Sequence, residues 1–231
     1  KQRWLPGMAG LEKLGAFALT EPTHGSDSVA LETSARQVKA GGEWVIDGAK
    51  QFITNSGTDI SGCVTITART GDDEISNIIV PNGTPGYEPG EPYRKMGWNA
   101  SDTRPLSFDD TRVPEANLLG RRGEGFKQFL HILDIGRIGV AAMGVGLAQG
   151  ALDEALAYAK ERQAFGQPIS RFQSIQAKLA DMATEIEATR LLVYKAARMK
   201  DRGENFSLTA AQAKLKSGRL AVRCCEEAVQ I

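Results

Sequence analysis

The run Phe17-Ala18-Leu19-Thr20-Glu21-Pro22-Thr23-His24-Gly25-Ser26-Asp27 takes an apolar strand end into a loop of hydroxyls, carboxylates and a glycine. Amides and hydroxyls exposed in such a loop can hold an anionic or polar ligand edge. A strand ending in an Asx turn accounts for the same residues without a ligand. Ser26, His24 and Asp27 lie too close in sequence to face one another as nucleophile, base and orienter. His24 and His131 are the only histidines, and neither has partners at zinc-ligand spacing, so no metal site is expected. Asp134 and Arg137 stand one helical turn apart and suit either a polar ligand or an ion pair within the helix. The cluster Met143 to Gly150 resembles a dinucleotide fingerprint, but Gln149 occupies the third glycine position and Phe126 to Val140 reads as helix where a strand is required. Its small residues are expected to let two helices approach closely.

Two kinds of element must position these groups. From residue 15 to about 119 the chain reads as strands and turns: Trp44-Val45-Ile46 and Gln51-Phe52-Ile53-Thr54 flank Asp47-Gly48 as a hairpin, and Val64 to Ala68 and Ile78-Ile79-Val80 form further strands. Dense punctuation by Gly and Pro between residues 81 and 92 favours a small antiparallel barrel or sandwich over a parallel α/β sheet. Beyond Gly125 the period becomes three and four, which predicts helices near 124–163, 171–202 and 207–231. Phe172, Ile175, Leu179, Met182, Ile186 and Val193 form one apolar stripe, suited to a bundle. The fold class expected is therefore α+β, a β-domain followed by an up-down helical bundle. The domains are 1–14 (the end of a preceding helical segment), 15–119 and an incomplete 120–231.

Equal numbers of basic and acidic residues, 28 of each, remove the electrostatic footprint of nucleic-acid binding. No apolar run is read as long enough to span a bilayer, and no signal pattern opens the chain, so no membrane association is expected. Cys63, Cys224 and Cys225 read as free thiols in a reducing compartment.

The loop Leu19-Thr20-Glu21-Pro22 with Gly25-Ser26-Asp27 resembles the signature of the acyl-CoA dehydrogenase family of flavoproteins. Gly48-Ala49-Lys50-Gln51-Phe52-Ile53-Thr54-Asn55, Met96 to Thr103, and Glu161 to Gly166 with Phe172-Gln173 are similar to further family segments in the same order. The resemblance implies FAD-dependent α,β-dehydrogenation of a short, branched or cyclic acyl-CoA in fatty acid or amino acid catabolism. It also implies electron transfer to an electron-transferring flavoprotein, and a homotetramer, for which the 172–182 stripe offers an apolar face. The location implied is the bacterial cytoplasm, or the mitochondrial matrix in a eukaryote. A non-catalytic acyl-CoA or flavin-binding module, and an acyl-CoA oxidase, are the alternatives.

By the same resemblance, Leu19 and Thr20 face the pyrimidine edge of the flavin, with Phe17 and Gly25 in the same segment. Thr54 lies near N5, beside Ile53, and Phe52 lies against the ring. Ser26 contacts the pantetheine or the FAD phosphates, while Arg162, Phe165 and Gln173 hold FAD across a subunit interface. Asp134 and Arg137 contact CoA. A helix-end cation is the alternative reading of Arg162, and a capping box that of Ser170-Arg171-Phe172-Gln173. Most relatives carry the catalytic Glu in a segment expected beyond Ile231, and a minority carry it where this chain has Gly136. The catalytic base is therefore unassigned within these residues.

Overall fold

The computed structural model describes residues 3–39 and 42–231. Two compact units emerge, Lys1–Phe129 and Leu130–Ile231. The first holds a short helix α1 (Leu5–Ala9) and strands β1 (Leu14–Ala18), β2 (Ser34–Gln37), β3 (Trp44–Thr54), β4 (Ser61–Gly71), β5 (Glu74–Pro81), β6 (Tyr87–Pro89) and β7 (Thr103–Val113). These make one seven-stranded sheet in the order β1-β4-β2-β3-β7-β6, with β5 on β4. It is mixed: β1 runs parallel to β4, and β2 meets β4 through one parallel bridge, while the remaining ladders are antiparallel. Val64, Ile66, Ile78, Val80, Leu106 and Phe108 supply much of its apolar core.

The expected Asp47-Gly48 hairpin does not form. Trp44 to Thr54 is one continuous strand, paired along its length with β7, and the register shifts beside Gly48. Gly48 has φ +143°, and a Cβ there would stand 2.7 Å from the Thr33 backbone, so the glycine serves a close approach instead of a turn. A second shift lies between Lys50 and Ile53, where Gln51 and Phe52 together oppose Pro105. Proline has no N–H to give a ladder, which makes it compatible with the position across from a bulge.

The helix α2 (Gly125–Glu161) starts in the first unit and continues through the second. Its first turn lies against β5: a Cβ on Gly125 would meet the Ser76 backbone at 2.6 Å, and Asn77 Nδ2 donates to the Gly125 carbonyl at 3.1 Å. The first turn of α2, up to Phe129, is thus counted with the first unit.

In the second unit α2 packs with α3 (Gln173–Asp201) and α4 (Ser207–Gln230), within a turn of the expected spans. A tiny hairpin, β8 (Gln163–Ala164) and β9 (Gln167–Pro168), joins α2 to α3. The core is built from Ala141, Val145, Ala148 and Leu152 on α2, Met182, Ile186 and Val193 on α3, and Ala213, Leu220 and Cys224 on α4. Of the 172–193 stripe, Met182, Ile186 and Val193 are thus spent inside the unit, with Leu179 packed against them. Phe172, Ile175 and Leu179 are half-buried, and Met182 is buried. Large exposed apolar side chains occur elsewhere, at Leu208, Leu215, Val222 and Val229 of α4.

By length and composition α2 does qualify as a membrane-span candidate, with a stretch of mean hydropathy 1.4, contrary to the sequence reading. Ala141, Val145, Ala148 and Leu152 of this helix pack in the bundle core, whereas Leu130, Ile132, Val140, Met143 and Leu147 are exposed, so packing within the unit accounts for only part of that composition.

Of the glycines in the 143–150 cluster, only Gly144 brings helices together. A Cβ there would sit 3.0 Å from both the Ser217 Cβ and its carbonyl oxygen, whereas Gly146 and Gly150 have nothing within 4 Å. Gly144→Leu should therefore destabilise by about 1–3 kcal/mol through overpacking. Gly146→Ala should be neutral or stabilise by up to about 1 kcal/mol through helix propensity. Urea unfolding of the two variants checks the contrast, and equal effects would refute this division of roles.

Candidate functional site

The candidate residues fall into two groups, one in each unit. In the first, Leu19 and Thr20 follow directly on β1, and the Gln51 amide donates to the Thr20 carbonyl at 2.8 Å. That bond sets Leu19-Thr20 beside the part of β3 carrying Phe52 and Thr54. Phe52 occupies the bulge with φ +62°, is 60% exposed and lies against Tyr93 with ring centroids 5.2 Å apart. Thr54 is also exposed. Ile53 points the other way into the core at 3% exposure, so only its backbone can serve a ligand. Phe17 is half-buried and stacks on Phe129 at 5.2 Å, while Gly25 and Ser26 lie exposed in the loop.

A buried ion pair underlies this surface. Lys50 Nζ donates to Glu21 Oε1 at 2.8 Å, to the Leu19 carbonyl at 3.1 Å and to the Thr67 carbonyl at 2.7 Å. The Glu21 carboxylate also accepts from the amides of Glu32 at 2.6 Å and Thr33 at 2.9 Å. Burial alone pushes the Glu21 carboxyl up, but Lys50 and the donated bonds outweigh it and hold the group below the usual carboxylate range. Neither residue was singled out individually in the sequence. Their neighbours, Thr20 and Pro22 around Glu21 and Ala49 and Gln51 around Lys50, do not mark them as buried.

In the second unit, Asp134 and Arg137 form an ion pair across one turn of α2. Asp134 also lines a cavity with His131, Lys200, Asn205 and Phe206, so the carboxylate is available to that cavity as well as to its partner. Gly136, between them, is exposed, and a Cβ there would meet nothing within 4 Å.

Arg162 is exposed at the end of α2, and its carbonyl accepts from the Ile169 amide across the β8–β9 hairpin. The turn of that hairpin is Phe165-Gly166, both at positive φ, +51° and +78°. Such a two-residue turn matches the twist of its strands, and it leaves Phe165 96% exposed. Gln173 is exposed in the first turn of α3. The expected capping box is absent: Ser170 belongs to a 3-10 turn, and Phe172 takes the N-cap position with no side-chain cap bond. Gln176, not Gln173, reaches back to the Ser170 carbonyl at 3.0 Å.

In the first unit, hydroxyls on Thr20, Thr54 and Ser26 and an exposed aromatic plate at Phe52 suit a ligand with a polar heterocyclic edge and a flat ring system; in the second, the exposed Arg162 guanidinium by itself suits a phosphate. Cys63 and Cys224 add no nucleophile. Burial pushes both thiols up, which leaves them as small apolar side chains.

Comparison with known proteins matches residues 16–111 to the acyl-CoA dehydrogenase middle domain and residues 123–231 to the acyl-CoA dehydrogenase C-terminal domain. The chain is 50% identical to a probable acyl-CoA dehydrogenase, YngJ, of Bacillus subtilis (strain 168), with 100% of this chain covered and 61% of that protein. It is similar to the structure of butyryl-CoA dehydrogenase from Megasphaera elsdenii, with TM-score 0.94, 43% identity and coverage of 99% and 60% of the two chains. A chain in the solved structure of the electron transferring flavoprotein of Acidaminococcus fermentans matches with TM-score 0.93, 43% identity and coverage of 99% and 60%. The chain thus spans about 60% of the length of the proteins it matches.

Proposed function

We propose, because this chain belongs to the acyl-CoA dehydrogenase family, that the full-length protein carries out FAD-dependent α,β-dehydrogenation of a short, branched or cyclic acyl-CoA. The observation that carries this reading is the 2.8 Å bond from the Gln51 amide to the Thr20 carbonyl, which brings two distant motifs side by side. Their side chains are those a flavin requires, and bound FAD would supply the hydride acceptor. Thr20 and Thr54 offer hydroxyl donors to the heterocycle, and such donors stabilise negative charge where it develops. Phe17 and Leu19 shape the adjoining surface, and Phe52 covers the ring. The amide of Gly25 and the hydroxyl of Ser26 serve the polar end of FAD or CoA. Arg162 carries the charge that a phosphate requires, with Phe165 and Gln173 beside it. Asp134 and Arg137 bind CoA polar groups next to the cavity that Asp134 lines.

Removal of the substrate α-proton needs a positioned base. Gly136 supplies no carboxylate, so the base is assigned outside residues 1–231, on the more frequent family pattern. Electron-transferring flavoprotein is the proposed acceptor, a homotetramer the proposed assembly, and the bacterial cytoplasm or mitochondrial matrix the proposed location. Gly136 also keeps a second reading in view, a flavin- or acyl-CoA-binding protein without turnover.

Purified full-length protein should be yellow and should reduce an artificial electron acceptor with a short-chain acyl-CoA. Combined Thr20→Ala, Thr54→Ala and Arg162→Ala should bleach it. A folded, colourless wild type that takes up no added FAD would remove the flavin assignment. Flavin binding without turnover on any acyl-CoA ester would favour the second reading.

A further inference from the structure

We infer that Glu21 and Lys50 are positioning residues for the flavin, one buried ion pair holding the Leu19-Thr20 segment and the Phe52–Thr54 segment in fixed relation. The inference rests on the flavin-dependent reading above.

The geometry assigns each polar atom of the pair. Both side chains are sequestered, Lys50 at 0% and Glu21 at 2% exposure, so neither can itself touch a ligand. The three ammonium protons of Lys50 are all used: on the carboxylate, on the carbonyl just before Thr20, and on the Thr67 carbonyl of β4. Lys50 sits on β3 immediately before the bulge that turns Phe52 outward. Glu21 follows Thr20 directly and, through the amides of Glu32 and Thr33, also anchors the far end of the 22–31 loop that contains Gly25 and Ser26. Thr67 extends the connection, since its hydroxyl donates to Asn77 Oδ1 at 2.8 Å and Asn77 Nδ2 donates to Gln128 on the first turn of α2. Every segment of the first unit proposed to meet the cofactor is therefore tied to one buried charge pair. Such pairs seldom add net stability over a well-packed apolar replacement, which makes stability alone an insufficient reason for it.

That difference provides the test. Lys50→Met, the double variant Glu21→Leu with Lys50→Met, and Glu21→Gln are made in the full-length protein. Apoprotein melting, FAD affinity and the visible spectrum of the bound flavin are measured for each. Lys50→Met should lower both melting temperature and FAD affinity. The double variant should recover most of the melting temperature, yet bind FAD roughly 10–100-fold more weakly, the range seen for groups that orient ligands of a bound metal at one remove. Its bound-flavin spectrum should move toward that of free FAD. Glu21→Gln, which preserves volume, should show a smaller change of the same kind. A double variant, or, if that does not fold, a Glu21→Gln protein, with wild-type FAD affinity and spectrum would overturn the inference and leave the flavin reading intact. A wild type that binds no FAD would overturn both.

Discussion

In full-length protein whose α-proton base has been changed to Gln, Gly136→Glu is expected to recover a measurable part of the lost turnover. Loss of a general base costs about 10²–10⁴-fold in rate, which leaves ample room to detect a gain. The substitution places a carboxylate on α2 between Asp134 and Arg137, the pair proposed to meet CoA. The local structure admits it, because Gly136 is exposed and a Cβ there meets nothing within 4 Å. Replacing a mid-helix glycine should also favour the helix by a few tenths of a kcal/mol or more. The role of a small residue in close helix packing belongs to Gly144 in this chain, not to Gly136. Acyl-CoA-dependent reduction of the bound flavin, followed by stopped flow, is the measurement. A folded, FAD-loaded double variant no faster than the Gln variant would refute the placement of Gly136 beside the substrate α-carbon.

Lys50→Met should destabilise the sheet unit by about 3–5 kcal/mol, because it leaves the Glu21 carboxylate buried without its cation. The same pair predicts an acid limb. Glu21 titrates lower in the folded protein than in the unfolded chain, so the folded state binds fewer protons in that interval. Its contribution is therefore complete above the unfolded carboxyl value of about 4.3 and is lost as pH falls through the lower folded value. Urea midpoints measured from pH 7 down to pH 3 should fall steeply in the wild type and less steeply in Glu21→Gln, which has no carboxyl to protonate. Superimposable pH profiles for the two proteins would show that Glu21 is not the group responsible.

The helical half was legible residue by residue. The three-and-four spacing from residue 125 onward places α2, α3 and α4 within a turn of their observed spans, because helix periodicity and its breakers are carried by near neighbours. The ordered motifs were enough to indicate the family, and with it the residue types a flavin would need. What the sequence left open depended on partners far along the chain. Asp47-Gly48 looks like a turn locally, but Thr33 packs against Gly48, and pairing with β7 keeps the strand running through it. Phe52 faces outward, and Ile53 inward, because Pro105 stands across a bulge that no neighbour of Phe52 announces. Ser170 and Gln173 satisfy a capping pattern in spacing, yet the 3-10 turn before α3 moves the cap to Phe172. Lys50 meets Glu21 across 29 residues of sequence, and only folding the strands together shows which carboxylate can stabilise that ammonium away from water. Local spacing thus determined the elements and the chemistry they could carry. Tertiary packing decided which side chains face a ligand and which hold the others in place, since burial and hydrogen-bond satisfaction are properties of the assembled unit.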